Sequence, residues 1–92
     1  MNVLLVEDEA KIAEFVRAGL KERGFIVDYS GNGDEGYLLA LDNEYDVIVL
    51  DIMVPGRDGL SILKQLRRQG SNTPVILLTA RNELDDRLAG LN

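Results

Sequence analysis

Three short runs of branched apolar residues constrain this chain more than anything else in it: Val3-Leu4-Leu5-Val6, Val47-Ile48-Val49-Leu50 and Val75-Ile76-Leu77-Leu78. None alternates with polar residues, which suits strands buried on both faces. Each stops at a polar group: Glu7-Asp8, Asp51 and Thr79. Between them the period changes. Ile12, Phe15, Val16, Gly19 and Leu20 recur at helical spacing, opposite Lys11, Glu14, Arg17, Lys21 and Glu22. Asp8 or Glu9 is expected to cap this first helix, and Gly24 to end it. Phe25–Tyr29 reads as a more mixed strand, fit for a sheet edge. Gly31-Asn32-Gly33 reads as a turn, since it lacks the lysine and hydroxyl of a phosphate-binding loop. A second helix is expected from Asp34 and Glu35, with Tyr37, Leu38 and Leu41 on its apolar face. A third follows Gly59, with Leu60, Leu63 and Leu66 inward and Lys64, Arg67 and Arg68 as a solvated end near its C-terminus. A fourth is expected beyond Asn82, with Leu84, Leu88 and Leu91 as its stripe.

Strands therefore fall at Asn2–Val6, Phe25–Tyr29, Asp46–Leu50 and Pro74–Leu78, alternating with helices. That order implies a parallel sheet with right-handed crossovers and helices on both faces, an α/β doubly wound fold. The continuously apolar runs are expected as central strands. With 92 residues the chain has room for one domain, 1–92.

Composition removes several chemistries. There is no cysteine and no histidine, so thiolate and imidazole metal sites, cysteine nucleophiles and histidine-based triads are excluded. Sixteen acids against ten bases give a net charge of -6, which argues against this segment binding nucleic acid or anionic lipid. No apolar run approaches the roughly 18 residues of a membrane span. No basic, apolar leader precedes Val3, and the expected location is cytoplasmic.

The strand ends then become the centre of interest. Parallel strands share one C-terminal rim, where ligands bind in such sheets. With the first and third strands adjacent, Glu7, Asp8 and Asp51 converge there without a base to neutralise them. Clustered carboxylates take up protons unless a cation intervenes. An all-oxygen acidic site favours a hard divalent ion, Mg²⁺ first. Mg²⁺ brings phosphoryl chemistry, and an aspartate can itself be the nucleophile. Taken singly, each residue has a plainer reading. Glu7, Asp8 and Glu9 suit a helix start, Asp51 a turn, and Thr79 a strand end bonded to local backbone. Their convergence on one rim is what favours the site.

Glu7-Asp8-Glu9, the run DIMVPGRDG from Asp51 to Gly59, and Thr79-Ala80-Arg81 together resemble the receiver domain of bacterial two-component response regulators. The likeness runs the length of the chain. DIMVPGRDG and TARNELDDRLAGLN are most similar to the OmpR-like subfamily, whose members attach a DNA-binding domain. The resemblance implies a flavodoxin-like (CheY-like) sheet of four strands and four helices in order 2-1-3-4. It implies that Asp51 accepts phosphate from a sensor histidine kinase, and that Glu7, Asp8, Asp51 and the Met53 carbonyl hold Mg²⁺. Thr79 is then the switch hydroxyl, Ala80 the small residue that leaves entry to the site, and Pro55 and Gly59 shape the loop.

The family's fifth strand, its lysine and a nearby aromatic have no counterpart in residues 1–92, and Lys11, Lys21 and Lys64 all fall on expected helices. The chain thus reads as a C-terminally truncated receiver. The bare edge of its fourth strand is expected to favour a homodimer. Two other readings stand beside it. One is an aspartate-nucleophile phosphatase, disfavoured because Met53 replaces the acid–base aspartate of those enzymes. The other is an inactive pseudo-receiver serving as an interaction or dimerisation module.

Overall fold

In the computed structural model, which describes residues 1–78, the apolar runs pair into one parallel sheet in the order β2-β1-β3-β4. The elements are β1 (Asn2–Val6), α1 (Ala10–Glu22), β2 (Ile26–Ser30), α2 (Gly33–Asp42), β3 (Val47–Asp51), α3 (Gly59–Arg68) and β4 (Val75–Leu78). This is the expected strand order, with three helices among the described residues. The expected fourth helix, from Asn82 through Leu84, Leu88 and Leu91, lies outside them.

Strand alternation divides the core into two layers. Leu4 and Val6 of β1 and Ile48 and Leu50 of β3 point to one face, where Tyr37, Val54, Ile62 and Leu66 cover them. Val3, Leu5 and Val49 point to the other, against Ala13 of α1 with Val16 and Leu20 alongside. The continuous apolar runs of β1 and β3 are thus explained by burial on both sides. β2 is the mixed strand at one edge, as expected. β4, whose apolar run taken alone suggests a central strand, is the outermost strand among the described residues, as the expected order 2-1-3-4 requires, and Ile76 is exposed.

β2 and β3 each start and end one residue later than the sequence pattern suggests. β4 begins at Val75, because Pro74 has no N–H to give; its carbonyl still accepts from Ile48 N–H at 2.9 Å.

The helix faces differ from expectation; on α3 Ile62 and Leu66 are buried, while Leu60 and Leu63, expected inward, are half-buried. On α1 the buried residue is Ala13, while Phe15 is 81% exposed and Ile12 40%. On α2 the inward face is Gly33, Gly36 and Tyr37, and Leu38 and Leu41 lie outward. Both helices approach the sheet through small residues. A Cβ on Gly36 would sit 2.6 Å from Val6 Cγ2, so a leucine cannot occupy that contact. Expected caps also shift. α1 starts after Glu9, which makes no side-chain cap bond. α2 is capped by Asn32, whose Oδ1 accepts from Asp34 N–H at 2.8 Å and Glu35 N–H at 3.3 Å. This bears out the turn reading of Gly31-Asn32-Gly33. α3 is capped by Asp58, whose Oδ1 accepts from Ser61 N–H at 2.9 Å. That bond, with a second from the Ser61 hydroxyl, holds the Asp58 carboxyl below its ordinary pKa. At the far end of α3, Arg67 donates to the carbonyls of Ser71 and Thr73, tying down the loop into β4.

At the N-terminal end of the sheet, Tyr45 is buried and its hydroxyl donates to Asp28 Oδ2 at 2.6 Å. Burial, and then that bond, push the phenol above its ordinary pKa. Tyr45→Phe is expected to lower stability by about 1 kcal/mol, read as a fall of roughly 5 °C in thermal midpoint.

Candidate functional site

The two inner strands deliver the acids to one place. β1 ends at Val6 and β3 at Asp51, and Val6 is paired in register with Leu50. The next residue along each strand is therefore an acid, Glu7 on one and Asp51 on the other. Glu7, Asp8 and Asp51 each offer an oxygen, and these oxygens all lie within 4.8 Å of one another. Glu7 is 3% exposed and Asp51 8%, whereas Asp8 faces solvent. The site thus has a buried floor of two carboxyls and an open acid at its mouth.

Local bonds fix this floor. Asp51 Oδ1 accepts from Met53 N–H at 3.0 Å, and Glu7 Oε2 accepts from Glu9 N–H at 3.4 Å. Ile52 N–H donates to Leu78 O at 2.9 Å, so the turn after Asp51 hangs from β4. Gly59 N–H donates to Ile52 O at 3.1 Å and brings the start of α3 against the Asp51 backbone. Pro55 O accepts from Gly33 N–H at 2.9 Å, joining this loop to the start of α2. Arg57 strengthens that junction. It pairs with Asp34 at 3.4 Å, lies over the Tyr37 ring at 4.2 Å and donates to Gln65.

Among the described residues no cation pairs with these acids. The ion pair among the described residues is Arg57–Asp34, away from the cluster. The consequence is visible on Glu7. Burial first, then its hydrogen bond with Asp51, push its carboxyl from the ordinary 4.5 up to about 8. This is the proton uptake expected of carboxylates crowded without a cation.

The structure thus brings Glu7, Asp8 and Asp51 together. Met53 lies at the rim with its side chain 55% exposed and its N–H on Asp51. Pro55 and Gly59 shape the loop through the contacts given above. Thr79 and Ala80 lie outside the described residues; Leu78, just before them, is the strand partner of Asp51. Tyr29 escaped the sequence reading. Its hydroxyl donates to Glu7 O at 2.7 Å. No local pattern marks it, because the contact depends on the register between β1 and β2.

Comparison with known proteins agrees with this geometry. The family model described as "Response regulator receiver domain" matches residues 3–92. The chain belongs to the response regulator receiver domain family. This receiver domain is 50% identical over 91 residues to the transcriptional activator protein IrlR of Burkholderia pseudomallei, covering 99% of the chain and 39% of that protein. It is 48% identical over 92 residues to the transcriptional regulatory protein HprR of Escherichia coli, covering 100% of the chain and 41% of that protein. The chain therefore spans about 40% of the length of the curated relatives it matches, and they are named as transcriptional regulators, in keeping with the OmpR-like resemblance.

Among solved structures, the receiver domain of Francisella response regulator 1452 superposes with a TM-score of 0.85 at 42% identity, covering 98% of this chain and 74% of that one. The Thermotoga maritima response regulator TrrA, solved in complex with Mg(2+)-BeF, gives 0.83 at 32% identity, covering 98% and 78%. The receiver fold and its order are thereby confirmed. Receiver domains of transcriptional response regulators are signalling domains. Among the described residues of this one, no helix is long and apolar enough to cross a membrane.

Proposed function

We propose that this receiver domain takes a phosphoryl group onto Asp51 from a sensor histidine kinase, at a site completed by Mg²⁺ on Glu7, Asp8, Asp51 and the Met53 carbonyl. The observation that carries the proposal is the cluster of three carboxyl oxygens within 4.8 Å on one rim. The donor set is all oxygen and acidic, which suits Mg²⁺ and offers nothing to a softer metal. Burial first, and then the neighbouring Asp51, raise the Glu7 pKa, and a bound cation would favour its charged form instead. When bound, Mg²⁺ would offset negative charge on the transferring phosphoryl group. The chain supplies the rest. Met53 N–H fixes one Asp51 oxygen and with it the plane of the carboxylate. An Asp51 oxygen forms the new P–O bond as the P–N bond to the donor histidine breaks, and the electron pair leaves with the imidazole. Pro55 and Gly59 keep the loop open around that oxygen. Thr79 is assigned to the phosphoryl oxygens as the switch hydroxyl, and Ala80 to the clearance beside them.

The wider assignments follow from the same reading. Residues 1–92 belong to one receiver domain of a cytoplasmic transcriptional regulator that contacts DNA elsewhere, since this segment carries a net charge of -6. The outer edge of β4 is proposed as a homodimer contact for the 92-residue chain, because Ile76 and the strand's outer backbone are open among the described residues. Phosphatase turnover is disfavoured by Met53, which cannot act as acid or base. The pseudo-receiver reading is disfavoured by the intact acid cluster.

Phosphotransfer tests the assignment. Radiolabel on the phosphorylated catalytic core of a histidine kinase is expected to pass to the wild-type chain and not to Asp51→Asn. Equal labelling of both proteins removes Asp51 from its role. Sustained release of nitrophenolate from p-nitrophenyl phosphate supports the phosphatase reading instead.

A further inference from the structure

We propose that Tyr29, held by Arg17, is a positioning residue that sets the Glu7–Asp8 peptide and thereby tunes cation affinity; the inference rests on the Mg²⁺ reading above. Tyr29 stands opposite Leu5 in the β1–β2 register and packs on the α1 side of the sheet. Its ring runs towards the C-terminal rim, and its hydroxyl reaches the Glu7 carbonyl at 2.7 Å. The Glu7 N–H donates to Ser30 O at 3.0 Å. The residue is thus gripped on both its N–H and its carbonyl. That carbonyl belongs to the peptide joining Glu7 to Asp8, so one bond governs the orientation of two of the three acids.

Two features keep the phenol in place. Arg17 of α1 lies over the Tyr29 ring, 5.0 Å from its centroid, and the Arg17 Nε is buried without a hydrogen-bond partner among the described residues. A buried guanidinium nitrogen with no acceptor costs free energy that the contact with the ring helps offset. Gly31 leaves space at the other side. A Cβ there would stand 3.2 Å from the Tyr29 hydroxyl, tighter than ordinary contact.

Without the hydroxyl, Glu7 keeps its N–H bond to Ser30 O, but the Glu7–Asp8 peptide loses the bond to its carbonyl. The Glu7 and Asp8 carboxyls then sample a wider range of positions, and ordering them falls to the incoming ion. The effect is confined to binding. Once Mg²⁺ is in place at saturation, Asp51 meets the same site.

Tyr29→Phe keeps the ring and its contact with Arg17 and removes only the hydroxyl. It is expected to weaken Mg²⁺ binding by about fivefold in calorimetry. Labelling by acetyl phosphate should need correspondingly more Mg²⁺ and reach the wild-type rate at saturation. Tyr45→Phe is the control, since it loses a hydroxyl bond of similar length at the opposite end of the sheet. It should lose similar stability in EDTA and bind Mg²⁺ as the wild type does. If Tyr29→Phe binds Mg²⁺ like wild type, or if Tyr45→Phe weakens binding equally, the positioning role is overturned while the site reading stands. A wild-type chain that takes up no Mg²⁺ overturns both.

Discussion

Glu7→Gln is expected to make the metal-free protein more stable at pH 9 and to leave it nearly unchanged at pH 5. The Glu7 carboxyl is buried and its folded-state pKa is raised from 4.5 to about 8, by burial first and then by its bond with Asp51. Between those two values the folded chain holds a proton that the unfolded chain has released. Stability then falls as pH rises, because the unfolded state binds fewer protons than the native one. The contribution of the protonated form is complete below about pH 4.5 and lost once pH passes about 8. Glutamine has no proton to lose and fills the same volume. In EDTA the wild type should therefore drop on the order of 2 kcal/mol more than Glu7→Gln between pH 5 and pH 9, a difference of roughly 10 °C in thermal midpoint. Taking the difference between the two proteins removes groups that titrate alike in both. Mg²⁺ should act in the opposite sense, stabilising the wild type most at high pH, where no proton has to leave. Superimposable pH profiles in EDTA would show that Glu7 is not the buried, proton-holding acid described here.

Gly59→Ala is expected to lower stability by about 3 kcal/mol and to weaken the acid site with it. A Cβ at this position would stand 2.5 Å from the Asp51 carbonyl oxygen and 3.0 Å from its carbonyl carbon. Both are backbone atoms at the end of a buried strand, so no flexible side chain can yield. The start of α3 must move away, and the bond from Gly59 N–H to Ile52 O lengthens or breaks. The displacement falls on Asp51 itself, so the thermal midpoint and Mg²⁺ affinity should fall together. Gly19→Ala is the comparison. Gly19 lies within α1 with nothing near its Cβ position, and alanine there should raise stability by about 0.5–1 kcal/mol without touching Mg²⁺ binding. Gly59→Ala melting with the wild type would mean that α3 does not press on Asp51.

The strands and the acid rim were legible in the sequence, because they follow from simple patterns. Leu4 and Leu50 are buried whichever way their strand faces, so an apolar run is enough to find them. Asp51 and Glu7 mark the strand ends, and parallel pairing then forces them together. The helix faces were less legible. Counting large apolar residues selects Phe15 and Leu38, yet α1 turns Ala13 inward, and α2 lies with Gly36 against the Val6 side chain and Gly33 against the Arg57 backbone, too close for anything bigger at either glycine. Ile62 was overlooked beside Leu60 and Leu63 for a related reason. Only the actual rotation of α3 shows that Ile62 and Leu66 are the fully covered pair. The expected side-chain cap on α1 is not formed by Glu9, whose backbone N–H donates to the Glu7 side chain of the site. Tyr29 and Arg57 act across elements, through strand register and loop packing, and nothing in their immediate neighbours announces it.

Intact mass after incubation with acetyl phosphate, with Mg²⁺ or with EDTA, beside Asp51→Asn, tests the central claim most directly. The acid cluster predicts a gain of one phosphoryl group in the wild type, dependent on Mg²⁺ and absent from Asp51→Asn. No gain in a folded wild-type sample, or an equal gain in EDTA or in Asp51→Asn, contradicts a metal-assisted phosphoacceptor at Asp51.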